Sequence, residues 1–226
     1  MRKTIFTILA IFIIGIAGGI FANQVLWPYL VERPVNIIER EEIIIQENTA
    51  LKNAIEKVEK TVVGIKTTTI EAIFNGSGLI LTSDGLIVTL AELVPQGATS
   101  EFFIDGQSVE FQVLRRDLNY NLALVKVEKD NLPTVDFAPY EKVRMGERVF
   151  LLGSLFEQKE VKKEVNEGII KYIDEDFIRT NIFERVSLAG SPLFNIEGEF
   201  LGLVITDSWS RVSAIPVTKI KTFAGF

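Results

Sequence analysis

The residue types that are missing settle much of the chemistry. The chain holds no histidine and no cysteine. No imidazole can act as base, ligand or neutral-pH switch, and no thiolate can attack a substrate or hold a metal. Every Ser-His-Asp and Cys-His mechanism is thereby excluded, as are disulfides. A zinc centre would have only carboxylates left as ligands, so neither metal nor cofactor is expected. What remains is hydroxyl chemistry. The stretch Ser187-Leu188-Ala189-Gly190-Ser191-Pro192-Leu193 carries two serines, Ser187 and Ser191, around a glycine. A serine hydroxyl is a weak nucleophile until a neighbouring base takes its proton. Here the base would be a lysine or a carboxylate such as Glu92, and a carboxylate base would need an acidic medium.

The elements that must position these groups follow from the texture of the chain. Its 226 residues are 47% hydrophobic and 24% charged, which suits a folded core. The net charge of -6 offers no basic field, so nucleic acid is not an expected partner. Arg2 and Lys3 precede an uncharged run from Thr4 to Val31, with Trp27 and Tyr29 at its end. The run exceeds the roughly 7–15 apolar residues of a signal peptide core, and Ala17-Gly18-Gly19, inside the apolar stretch, is a poor cleavage site. Residues 1–31 therefore read as an uncleaved membrane anchor, rather than a cleaved signal or a buried core helix. Positive charge ahead of the span predicts the N-terminus inside and the rest of the chain outside.

Residues 32–60 read as a connector. Pro28 and Pro34 break the helix, Ile43-Ile44-Ile45 suits a strand, and 48–60 suits an amphipathic helix with Leu51, Ala54, Ile55 and Val58 on one face. A coiled-coil seam through Ile37, Ile44, Leu51 and Val58 is the competing reading, and too few heptads sustain it. From Thr61 onward, short β-rich runs alternate with turn dipeptides at Asp84-Gly85, Asp105-Gly106 and Glu197-Gly198. Expected strands are 62–68, 70–74, 78–82, 86–89, 101–104, 108–115 and 122–128, then 148–153, 164–174, 177–180, 192–194, 200–206 and 212–215. Pro133 and Pro139 lie between the two sets. The expectation is an all-β domain over 61–226 built as two six-stranded barrels, about 61–130 and 144–226.

Several stretches resemble one family in order. Val62-Val63-Gly64-Ile65 is similar to its opening strand. Gly76-Ser77-Gly78-Leu79-Ile80 and Asp84-Gly85-Leu86-Ile87-Val88-Thr89 are similar to its GSGvi…dGyivT frame. Asp117 to Val127, Arg144 to Val149, Gly168-Ile169-Ile170, Ile178-Arg179-Thr180-Asn181 and Ser213-Ala214-Ile215-Pro216 resemble later pieces. The family is that of the HtrA/Deg-type trypsin-like serine proteases, two Greek-key β-barrels with the active site between them. The resemblance places Glu92 at the family's histidine, Asn121 at its aspartate and Ala189 at its nucleophile. It makes the backbone amides of Ser187 and Ala189 what remains of the oxyanion turn, with Ser187 in place of a glycine.

Alanine has no atom to attack with, so the sequence predicts a catalytically inactive homologue, not an enzyme. The resemblance further implies a strand, Leu203-Val204-Ile205-Thr206, along which a peptide would add. The expected function is thus a peptide- or protein-binding scaffold anchored in the cytoplasmic membrane, with its domain on the extracytoplasmic side. An endopeptidase using Ser187 or Ser191 with a Lys or Glu partner is the rival, and an oligomeric tether is a third reading. The resemblance also implies homo-oligomers, commonly trimers. Family members often carry a C-terminal PDZ domain, and a chain that stops at Phe226 is expected to lack one.

Overall fold

The computed structural model describes residues 2–27, 49–157 and 160–226. The expected strand at 43–45, the prolines at 28 and 34, and heptad positions 37 and 44 lie outside them. The chain divides into two units, Met1–Gln46 and Glu47–Phe226. In the first, α1 (Arg2–Phe21) runs into a π-helical turn, Ala22–Leu26. Ile5–Val25 has a mean hydropathy of 2.6 over 21 residues, about the length needed to cross a hydrocarbon core. Its side chains are exposed throughout, so this is not the buried core helix of a soluble fold.

In the second unit, residues 49–58 form α2. Ala54 and Val58 are buried, and Leu51 and Ile55 pack on the same core. Val58 faces the core of its own domain and cannot also serve a coiled-coil seam. Lys57 fastens the helix by donating to the Glu197 carbonyl at 3.2 Å and the Asp136 carboxylate at 3.4 Å.

Seven strands follow: β1 (Val62–Thr68), β2 (Ile73–Ile80), β3 (Leu86–Leu90), β4 (Thr99–Ile104), β5 (Gln107–Val109), β6 (Phe111–Asp117) and β7 (Leu122–Val127). They form one antiparallel sheet in the order β5-β4-β1-β2-β3-β7-β6. Asp105 and Gly106, with φ of 50° and 74°, supply the two positive-φ positions of the tight turn joining β4 to β5. The remaining strands are β8 (Arg148–Glu157), β9 (Glu160–Ile173), β10 (Ile178–Phe183), β11 (Pro192–Asn195), β12 (Phe200–Thr206) and β13 (Arg211–Pro216). They close a six-stranded barrel in the order β10-β13-β12-β11-β8-β9. The all-β, two-part trypsin-like architecture is as expected, its first part being a seven-stranded half-barrel. Phe150, Phe194, Phe200 and Leu203 of the closed barrel share one buried cluster with β1, β2, β3 and β7. The two parts therefore meet across an apolar interface.

Three elements depart from expectation, the first being the run expected at 108–115, which is two strands, β5 on β4 and β6 on β7. The runs expected at 70–74 and 78–82 are joined in one strand, β2, because residues 75–77, expected as a break, continue it. A Cβ on Gly76 would lie 2.4 Å from Leu93 Cδ1 and 2.9 Å from the Ala189 carbonyl oxygen, so glycine there serves close approach. The chain also ends in an unexpected helix, α3 (Val217–Ala224), whose Val217, Ile220 and Phe223 are buried. Pro216 precedes it and Gly225, at φ 88°, caps it.

Candidate active-site cleft

The stretch Ser187–Leu193 forms a tight turn wedged against β2. Val186–Leu188 is a single 3-10 turn, after which Ala189 is extended and Gly190 takes φ 76°. A Cβ on Gly190 would fall 2.4 Å from the Ser77 carbonyl oxygen, so only glycine fits. Ser77 is the anchor. Its amide donates to the Ala189 carbonyl at 3.0 Å, and its own carbonyl accepts the Thr89 hydroxyl at 2.7 Å. Its hydroxyl accepts the Ser154 amide of β8 at 2.8 Å. On the other flank the Gly190 amide donates to Val204 and the Val204 amide to Ser191, both at 2.8 Å. The Ala189 amide donates to the Val186 carbonyl at 2.9 Å. One of the two donors that the resemblance assigns to an oxyanion site is therefore committed within the turn.

Glu92 lies in the 3-10 turn Ala91–Leu93 that follows β3, and Asn121 directly precedes β7. The structure brings them together. Asn121 sits at φ 53°, its carbonyl accepting the Ala91 amide at 3.1 Å and its side-chain oxygen accepting the Glu92 amide at 3.0 Å. An asparagine tolerates that left-handed backbone better than most residues. The Glu92 carboxylate takes no part in this linkage and is exposed.

Glu92 borders two hollows. The first, about 420 Å³, is walled by Ile73, Phe74, Asn75, Leu93, Val186, Ser187 and Ala189 besides Glu92. The second, about 410 Å³, holds Asn121, Tyr120, Phe177, Ile205, Thr206 and Lys219 along with Glu92. Sequence reasoning missed Ile73, Phe74 and Asn75, whose place at the mouth depends on the long β2 that it broke in two. Ser191 is fully buried and its hydroxyl has no hydrogen-bond partner. It faces Gly153, whose Cβ would collide with it, so as a candidate nucleophile Ser191 is walled off from both hollows.

Leu203 and Val204 are both buried, on opposite faces of β12: Leu203, paired with Ile215 of β13, faces the half-barrel, and Val204, paired with Ala214, faces the interior of the closed barrel. Only Ile205 and Thr206 reach the second hollow. Since Val204 directs its amide and carbonyl toward the turn, alternation along the strand aims those of Thr206 the same way. Among the described residues no strand pairs with β12 on that side beyond Val204. Nor do three or more carboxylates gather there as a metal site.

A half-barrel and a closed barrel meeting at a cleft, with the turn 187–193 on its floor, define a trypsin-like protein. The comparisons agree. The model of the trypsin-like peptidase domain matches residues 76–203, more than half of the chain. A probable periplasmic serine endoprotease, DegP-like, of Halomonas elongata is 33% identical over 139 residues, 57% of this chain and 28% of that protein. The serine protease HTRA1 of Xenopus laevis is 29% identical over 195 residues, 76% of this chain and 42% of that protein. The solved structure of the HtrA-type protease AlgW with a tripeptide superposes with a TM-score of 0.69 at 21% identity, covering 77% of this chain and 62% of that one. The chain belongs to the trypsin-like peptidase family, and its relatives there are of the HtrA/Deg type. The match spans less than half the length of each of those two curated relatives.

These findings correct one expectation. The sequence predicts a chain that is no enzyme, yet the relatives it matches are named serine proteases and endoproteases. The family is one of peptidases, and the non-enzyme assignment is withdrawn.

Proposed function

We propose that this protein grips an extended peptide in the cleft, as a strand added to the outer end of β12. The observation that carries the reading is the unpaired side of β12 beyond Val204, opening on a hollow of about 410 Å³. Strand addition draws affinity from main-chain hydrogen bonds and specificity from neighbouring side-chain pockets. The structurally similar AlgW was solved with a tripeptide, which is consistent with this use of the fold. In this reading Glu92, Asn121 and Ala189 are walls of the binding cleft. The apolar helix Ile5–Val25 would tether it in the cytoplasmic membrane, with Arg2 and Lys3 inside and the β domain outside.

The test is saturable binding of labelled, N-acetylated nonapeptides to the full chain in detergent, read by fluorescence anisotropy. Thr206→Pro removes the outward amide and should weaken binding by about five- to tenfold, the worth of one net hydrogen bond. Unchanged affinity in that variant, or no binding by any peptide, overturns the reading.

A second reading is favoured by Ser187 and Glu92 bordering the same hollow: the Ser187 hydroxyl adds to a peptide carbonyl as Glu92 takes its proton, Glu92 returns that proton to the amine as the C–N bond breaks, and water hydrolyses the resulting ester. A fluorophosphonate probe that labels the chain, and fails to label Ser187→Ala, would establish it. Absence of labelling would discard it.

A further inference from the structure

Glu92 is the charged group on the wall common to both hollows. An extended chain lying from the Ser187–Ala189 side to the Thr206 side passes over it. Among the described residues its carboxylate has no ion-pair partner. Among the described residues of these walls the cation is Lys219, which is held by Asp176 and lies 5.0 Å over the Tyr120 ring. Asn121 satisfies the Glu92 backbone and leaves the carboxylate for solvent. A peptide seated in the cleft would strip that solvent away. Covering an unpaired carboxylate is unfavourable unless the incoming group is a cation or a strong donor.

Two further atoms lack hydrogen-bond partners. The side-chain oxygens of Asn75, on the first hollow, and of Thr206, on the second, are buried without partners. Asn75 Oδ1 can only accept. Beside Ser187, the first hollow presents apolar walls at Ile73, Phe74, Leu93 and Val186 that suit a methylene stem.

From this we infer that the cleft selects a peptide bearing a lysine or arginine side chain opposite Glu92, an inference that rests on the strand-addition reading. The stem lies along Phe74 and Val186 while the head meets the carboxylate, arginine being favoured because its planar fork donates to several acceptors at once. An acidic residue at the same peptide position is rejected by like charge.

The experiment uses four labelled, N-acetylated nonapeptides identical except at the centre, which is arginine, lysine, norleucine or glutamate. Each is titrated against the full chain in detergent at low and at moderate salt. Arginine and lysine should bind at least about tenfold tighter than norleucine, and glutamate more weakly than norleucine. The preference for cations should shrink as salt rises. Glu92→Gln, checked for an unaltered melting temperature, should bring the arginine-to-norleucine ratio close to one. Should that variant fail to fold, the peptide series and its salt dependence on the unaltered chain decide alone. Equal binding of arginine and norleucine peptides, or a preference that survives Glu92→Gln, overturns the inference. In that case, norleucine binding that still weakens in Thr206→Pro leaves strand addition standing. If no peptide of the four binds, strand addition falls, and this inference with it.

Discussion

Ser77→Ala probes the joint on which the cleft is assembled. The serine hydroxyl is fully buried and accepts the amide of Ser154, itself fully buried, at 2.8 Å across the interface of the two β parts. Alanine leaves the Ser77 backbone bonds to Ala189 and Thr89 untouched and removes only that acceptor. The Ser154 amide is then an orphan donor, a situation that costs about 1–3 kcal/mol. Loss of one oxygen's volume adds little beside it. For a β domain of this size each kcal/mol lowers the melting temperature by about 2–4 °C, so a fall on the order of 2–12 °C is expected. Far-UV circular dichroism of the full chain in detergent, followed through thermal or urea unfolding, reads it, with the exposed Ser208→Ala as control. If Ser77→Ala loses no more than the control, below about 0.5 kcal/mol, the two parts are not joined in the way described.

Gly190→Ala should destabilise by about 2–4 kcal/mol in urea unfolding, because it combines a positive φ with a Cβ placed 2.4 Å from a backbone oxygen. Asn121→Ala should lose about 1–2 kcal/mol through the Glu92 amide bond and the left-handed backbone. Asn121→Gly, which keeps the backbone comfortable, should lose less, and equal losses would refute the φ contribution. Lys163 reports on the same interface. Its ammonium is tucked against the Val62 carbonyl and the Ser154 hydroxyl, and that burial lowers its pKa to about 8 from 10.5. Between those values the unfolded chain holds a proton that the folded one lacks, so stability from this group rises with pH over that window and falls away as pH drops through about 8. Urea midpoints at pH 7, 8, 9 and 10 should show this rise in the parent chain and not in Lys163→Met; parallel curves would refute it.

Much of the scaffold was readable because its signals are local. Alternating or continuous β-branched runs and the pairs Asp84-Gly85, Asp105-Gly106 and Glu197-Gly198 bracket strands whose observed ends differ by a few residues. Gly76 misled for the opposite reason: its role is set by Leu93 and Ala189, distant in sequence. The terminal helix carried a legible 217–220–223 spacing, yet eight residues at the end of a β-rich chain gave too short a window for it. The site was legible only as positions. That Glu92 and Asn121 touch follows from their placement by resemblance, whereas the inward commitment of the Ala189 amide and the walling-off of Ser191 arise from packing. No pattern along the chain announced them.

The docking of α2 has a mechanical corollary. Ala54 and Val58 lean on the turn at Gly198, and Lys57 clasps the neighbouring Glu197 carbonyl. That turn joins β11, which continues the floor of the cleft, to β12, its proposed peptide rail. Any shift of α2 would thus be felt first at the hairpin between β11 and β12. A helix that bears on one hairpin thereby has a hold on both of its strands.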